Sequence, residues 1–283
     1  MRDVAELLHM TQGVGDFFLH FILPLLAAGL LAGVMSGLFG IGGGAILVPV
    51  LYQLFGVAGV EEAVRMQLAV GTSLGIIVPT SLRSFQSHLA HGAVDLDYLR
   101  KVALWVVLGV GAGSLAALVI SGAGLRFIYA VLALLMGLKM LLDRQMKPLW
   151  TTPALMPVLP VAGGLIGFFS VLMGIGGGVF NNILMTLLGR DIHKAVATSS
   201  GVGVLIALPG VLGFMGAGYG LSGLPIGSIG YVNFLAVLLV IPASILTAPI
   251  GAGLAHRLPQ KTLQKGFALF LLLVSARFFF SLW

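Results

Sequence analysis

The chain has 283 residues, 59% of them hydrophobic and 8% charged, with a formal net charge of +6 and a mean hydropathy of +1.11. A soluble domain carries about a quarter charged residues, so this composition excludes one and points to a polytopic membrane protein. The absence of cysteine excludes disulfides, thiolate metal sites and cysteine nucleophiles. The basic residues lie in short clusters between apolar segments, which is a membrane-orientation pattern and not a nucleic-acid face.

Residues 1–16, with Asp3, Glu6 and Asp16, lack the basic start of a signal peptide. No Asp, Glu, Lys or Arg occurs between Asp16 and Glu61, a gap of 44 residues. As one straight helix that gap would be about 66 Å long, against a hydrocarbon core of about 30 Å. The chain must turn back, and the turn is expected at Gly40-Ile41-Gly42-Gly43-Gly44. Thr151 to Gly189 is a second uncharged run, broken by Gly174-Ile175-Gly176-Gly177-Gly178. Ala195 to His256 is a third, long enough for two crossings joined by the glycine-rich region 213–230. Ten apolar passes follow, at about 17–39, 44–57, 65–87, 99–121, 124–142, 155–173, 178–189, 194–213, 229–252 and 263–282. The second and seventh are short enough to be half-helices of re-entrant hairpins. The polar stretches around 87–101 and 143–153 are loops.

If both glycine hairpins reverse the chain, eleven of the fifteen Lys and Arg fall on one side, and only Arg2, Arg65, Arg126 and Arg277 fall on the other. If each hairpin is instead a crossing, the split becomes eight to seven and the bias vanishes. Membrane proteins show such a bias, so the reversing topology is expected. It places both termini outside and the 143–153 loop in the cytoplasm.

The two halves, 1–145 and 146–283, also match in sequence. Gly40–Gly44 aligns with Gly174–Gly178, Ala69-Val70-Gly71-Thr72-Ser73 with Ala195-Val196-Ala197-Thr198-Ser199, and Leu125 to Lys139 with Leu263 to Arg277. Five passes per repeat is an odd number, so the second repeat enters the membrane inverted. The expected fold class is an all-α polytopic membrane protein, an inverted repeat of about 5+5 passes with two glycine-rich broken hairpins.

Four glycines in five positions must break a helix. A break at membrane depth is tolerated only within protein or around a polar cavity. Helix packing alone needs one or two small residues four apart, not four in five residues twice. Each break would instead free backbone N–H groups at the start of the following helix, where the helix dipole also favours an anion. Gly40, Gly42, Gly43 and Gly44, with Gly174, Gly176, Gly177 and Gly178, are therefore expected to bind a small anion. Gly40 to Ala45 also fits a loose dinucleotide fingerprint, but its flanks are membrane helices and no strand precedes it.

Thr72, Ser73, Thr198 and Ser199 follow the breaks, and Asn181 and Asn182 lie one turn past the second. They can complete the shell, although membrane Ser and Thr commonly bond their own i−4 carbonyl. Arg83 could grip an oxyanion in bidentate fashion or snorkel to the interface. His88 and His91, with Asp95 and Asp97, read as a solvated loop or as a proton relay or metal cluster. Glycine faces such as Gly109–Gly113 can pack within one chain or between copies. No Asp or Glu falls inside any expected pass, so proton coupling is absent, histidine-based or carried by the substrate. No nucleophile–base or metal-ligand set lies at membrane depth, and an enzyme is not expected.

Gly37-Leu38-Phe39-Gly40-Ile41-Gly42-Gly43-Gly44 with Pro49, the Ala69–Ser73 stretch, His91-Gly92-Ala93-Val94-Asp95 and the second glycine run with Ala197-Thr198-Ser199 resemble the sulfite exporter TauE/SafE family. The resemblance covers essentially the whole chain. It implies transport of sulfur-containing anions such as sulfite, sulfoacetate or other organosulfonates, mostly across the bacterial inner membrane. The second glycine run lacks a partner for Pro49 and is followed by Asn181 and Asn182, so the half-sites differ and the asparagines would set preference.

The combined expectation is a secondary carrier of a small sulfur-containing anion. Its partners would be that anion and membrane lipid, with no nucleic acid, no cofactor, no metal and no catalytic residue. A passive anion channel or a substrate-free assembly factor is the alternative.

Overall fold

The computed structural model describes residues 19, 22–39, 44–142, 158–257 and 260–282. Among them are ten helices: α1 Leu23–Phe39, α2 Gly44–Val57, α3 Glu62–Ala90, α4 Leu96–Val119, α5 Gly122–Leu141, α6 Val158–Met173, α7 Gly178–Leu187, α8 Ile192–Ala217, α9 Phe234–Arg257 and α10 Gln260–Phe280. A two-stranded antiparallel ribbon, β1 Ser228–Ile229 with β2 Val232–Asn233, precedes α9. The helices α3, α4, α5 and α8, with residues 234–251 of α9, are long and apolar enough to cross a membrane. The chain is an all-α, multi-pass membrane protein.

The short helices are α2, of 14 residues, and α7, of 10. At 1.5 Å per residue they reach about 21 and 15 Å, well short of the core. Both pairs of helices that flank a glycine run turn back. Gly163 in α6 lies beside Trp105 near the start of α4, and Gly167 beside Val110 further along, so α6 runs in the sense of α4. After α7, Arg190 lies 3.5 Å from Asp95, again at the start of α4. Likewise Gly29 lies against Val240 and Ala243, and Gly33 against Ser244, so α1 follows α9. After α2, Thr72 in the first half of α3 takes the Asn233 N–H at 2.9 Å, at the start of α9. The start of α3 at Glu62 and its end at Ala90 therefore mark opposite ends of the molecule. Arg65, Arg126 and Arg277 gather at the first end, and Arg190 and Lys194 with Asp95 at the second.

The helices pair reciprocally: α1 packs on α9 and α6 on α4, α2 on α3 and α7 on α8, while α3 meets α8 and α5 meets α10. Small residues set these seams, since lipid offers apolar side chains no advantage in facing one another. Gly109 lies against Gly164, and Gly113 against Phe168 and Val171, so this glycine face packs within the chain. Ser244 Oγ donates to the Gly29 carbonyl at 2.9 Å and Thr247 Oγ1 to that of Leu30 at 2.8 Å, holding α9 to α1. Outward, α4 presents Leu104, Leu108, Leu115 and Leu118 to the bilayer.

The ninth expected pass, at 229–252, begins later, at Phe234. Residues 228–233 form the ribbon instead, closing the glycine-rich insertion. The Tyr231 N–H donates to the Phe214 carbonyl at 3.0 Å, which fastens the ribbon to α8.

A Cβ at Gly167 would meet the Val106 carbonyl and, at 2.9 Å, the Val110 nitrogen, whereas one at Gly111 would meet nothing within 4 Å. Gly167→Leu is expected to destabilise the detergent-solubilised protein by about 1–3 kcal/mol, read as a lowered Tm. Gly111→Leu is expected to leave Tm unchanged or raise it, because leucine is the better helix former.

Candidate functional site

The second glycine run is folded as a closed turn. The Ser170 carbonyl accepts the Ile175 N–H at 3.0 Å, and the Val171 carbonyl accepts the Gly174 N–H at 3.2 Å, which ends α6. Gly174 and Gly177 take φ of +63° and +68°, a left-handed backbone that only glycine adopts without strain. Gly177 is the N-cap of α7, and its carbonyl takes the first helical N–H, from Asn181, at 2.9 Å. The N–H groups just ahead of Asn181 have no intrahelical acceptor and point out of the helix start.

The first run meets this turn. A Cβ on Gly44, the first residue of α2, would stand 2.6 Å from the Gly174 carbonyl oxygen and 3.0 Å from Ile175 Cα. Ile77 of α3 touches both runs, at Gly44 and at Gly176. The start of α2 and the second hairpin thus converge in the protein interior. Gly40, Gly42 and Gly43 lie outside the described residues.

Four further expected residues are drawn in by hydrogen bonds. Ser73 Oγ donates to the Gly174 carbonyl at 2.8 Å, tying α3 to the hairpin. Tyr98 OH donates to Asn181 Oδ1, Asn181 Nδ2 to Ser199 Oγ, and Ser199 Oγ to Asn182 Oδ1, each at 2.7 Å. This chain of donors joins α4, α7 and α8, and it commits both ends of the buried Asn181 amide to protein. Asn182 is half-buried, and its NH₂ has no partner among the described residues.

Thr72 and Thr198 hold helix starts instead of facing the turn. Thr198 Oγ1 accepts the Asp95 N–H and Thr72 Oγ1 accepts the Asn233 N–H, both at 2.9 Å. Each of those residues caps the next helix: Asp95 Oδ1 accepts from Tyr98 N–H at 3.2 Å, and Asn233 Oδ1 from Ala236 N–H at 2.8 Å. Asn233 was legible as a counterpart of Asp95, since Gly230-Tyr231-Val232-Asn233 parallels Gly92-Ala93-Val94-Asp95 and both glycines have positive φ.

Arg83 is exposed and sits two residues past Ser81, whose hydroxyl faces Gly176 and Gly203. Two residues turn a helix by about 200°, so the structure does not bring Arg83 to the hairpin. Asp95 is not a solvated loop residue: it is buried, with Lys194 Nζ at 3.8 Å and Arg190 Nε at 3.5 Å. His88 belongs to α3, and among the described residues no three His, Asp or Glu side chains gather as metal ligands. At the opposite end the buried Arg126 pairs with Glu62 and donates to Tyr52 OH at 3.1 Å.

Ten helices among the described residues, two of them half-length, with Gly44 at the start of α2 set against the Gly174 turn that leads into α7, define a polytopic membrane protein built as transporters are built. The chain belongs to the sulfite exporter TauE/SafE family, whose sequence model matches residues 25–278. A probable membrane transporter protein of Haemophilus influenzae is 38% identical over 92% of this chain and 98% of its own length. Probable membrane transporter proteins of Methanocaldococcus jannaschii and Bacillus subtilis are each 26% identical, over 88% and 91% of this chain and 92% and 97% of their own. No solved structure matches the chain significantly.

Asn181→Leu keeps roughly the side-chain size but leaves Tyr98 OH and Ser199 Oγ short of partners. It is expected to cost about 1–3 kcal/mol, the penalty for unsatisfied buried groups. Adding Tyr98→Phe is expected to recover part of that loss, with a coupling of about 1 kcal/mol in a double-mutant cycle of thermal unfolding.

Proposed function

We propose that the chain is a secondary transporter, and not an enzyme, of a small sulfur-containing oxyanion, sulfite or an organosulfonate, in a bacterial inner membrane. The reading rests on one observation above the rest: a helix break in the protein interior, where left-handed Gly177 opens α7 and Gly174 of the same turn lies against Gly44, the first residue of α2. Free amides at a helix start favour a compact anion by about 0.3–2 kcal/mol per helix end through the dipole, before any direct hydrogen bond. The family's description as sulfite exporters supports sulfur as the central atom.

Residues 1–145 and 146–283 act as two repeats of opposite orientation, with the termini outside. The reciprocal packing of α1 on α9 and α6 on α4 is what such a two-fold arrangement requires. Movement of one repeat against the other would open the hairpin site to either side in turn. Polar contacts at each end of the molecule must then separate. Asp95 with Arg190 and Lys194 joins the two repeats at the cytoplasmic end, and Arg126 reaches Ser281 of the second repeat at the outer end, at 3.3 Å. Gly174, Gly176, Gly177 and Gly178 line the anion with Gly40, Gly42, Gly43 and Gly44. Ser73, Ser199 and Asn181 hold the hairpin in shape, and the Asn182 NH₂, without a partner among the described residues, can complete the shell.

A thermal-shift panel on the detergent-purified protein tests this reading. At 100 times its Kd, a bound ligand adds about 2.7 kcal/mol of stability. Sulfite, sulfoacetate or taurine is expected to raise Tm selectively over acetate and chloride. Gly177→Val is expected to lower Tm without ligand, since valine resists positive φ, and to abolish the ligand-induced increment. A flat response of the wild-type protein to every sulfur oxyanion would overturn the proposal.

A further inference from the structure

Most hydroxyls near the hairpin are already occupied. Ser73 donates to Gly174, Ser199 joins the two asparagines, and Thr72 and Thr198 accept cap amides. Ser170, in the last turn of α6, is fully buried and its Oγ has no hydrogen-bond partner among the described residues. Its place is not peripheral: Oγ lies 3.3 Å from where a Cβ on Gly177 would stand, beside the N-cap of α7.

The missing bond is unusual because the default one is available in principle. A serine or threonine in a membrane helix normally donates to the carbonyl three or four residues back. Thr80, Thr186 and Thr198 do so, at 3.0, 2.8 and 2.7 Å. Ser170 does not, although a buried hydroxyl without a partner costs about 1–3 kcal/mol. Ser81 Oγ lies 3.6 Å from a Gly176 Cβ position and makes no hydrogen bond among the described residues. The sequence repeats the arrangement, with Ser36 four residues before Gly40 as Ser170 is four before Gly174.

We infer that Ser170 is a ligand of the transported oxyanion: its hydroxyl donates to one oxygen of an anion held by the amides at the start of α7, and Ser81 donates from beside Gly176. The assignment rests on the anion reading proposed above and adds a basis for selectivity to it. Two hydroxyls, one beside Gly176 and one beside Gly177, together with the amides that start α7, suit an anion whose several oxygens point in divergent directions. A sulfite or sulfonate group meets that demand. A planar carboxylate presents only two oxygens, and a halide presents no directional acceptors.

Ser170→Ala in the full-length, detergent-purified protein separates binding from packing. Because the hydroxyl is unsatisfied without ligand, its removal is expected to leave the ligand-free Tm unchanged or higher. Calorimetric titration with sulfite is expected to show a Kd raised about tenfold. Ser170→Cys, which keeps the volume but donates weakly, is expected to behave like the alanine variant, and Ser81→Ala to weaken binding less. If the wild-type protein binds sulfite and both Ser170 variants bind it with unchanged Kd, the assignment fails while the anion reading stands. If the ligand-free Tm falls and Kd is unchanged, Ser170 is structural and the assignment fails in the same way. If the wild-type protein binds no sulfur oxyanion, both fail together.

Discussion

A backbone interrupted inside a membrane must find partners for its N–H and C=O groups in protein, because lipid supplies none. The rest of this structure follows from that requirement at Gly174–Gly178. The turn satisfies two of its amides on the carbonyls of Ser170 and Val171, and Ser73 reaches over from α3 to take up the Gly174 carbonyl. What remains is the set of amides that start α7, just beyond the part of the turn where Gly44 and Ile77 crowd in on Gly174 and Gly176. A feature that would be a defect in a soluble helix is, on the function proposed above, the place where the anion binds.

Enclosure depends on helices that approach closely without wide apolar side chains. Glycine seams bring α1 to α9 and α6 to α4, leaving α3 and α8 to meet beside the second break. The central pair carries Thr72 and Thr198, and each of these hydroxyls receives the first amide of a helix from the other half. The two bonds have the same length and the same logic but different caps, an aspartate in one half and an asparagine in the other. Only the aspartate draws a cationic pair, Arg190 and Lys194, so the two ends of the protein are joined by chemically different contacts.

Much of the architecture was legible in the sequence because its signals are local. Four glycines in five residues break a helix in any context, and α2 and α7 begin at Gly44 and Gly178 as that rule requires. Charge placement carried the reversal of the chain. The site was less legible, because its contacts join residues distant in sequence. Thr72 and Thr198 looked like substrate groups until their amide partners, Asn233 and Asp95, came from remote elements. Arg83 stood close to Ser81 along the chain but lies round the far side of α3. Ser170 is one hydroxyl in an apolar run, which reads as an ordinary back-bonded serine until its missing partner is seen. The ribbon at 228–233 was hidden by the insertion before it, although Gly230 to Asn233 carries the pattern of Gly92 to Asp95.

Counterflow in proteoliposomes tests most directly whether the buried hairpin serves a carrier. Vesicles holding the purified protein and preloaded with unlabelled sulfite would be diluted into a trace of labelled sulfite. A carrier that exposes one site to each side in turn is expected to accumulate label transiently above equilibrium, with a rate that saturates in sulfite. Uptake that rises linearly with concentration and shows no overshoot would describe an open pore, and it would contradict a single enclosed site between two moving repeats.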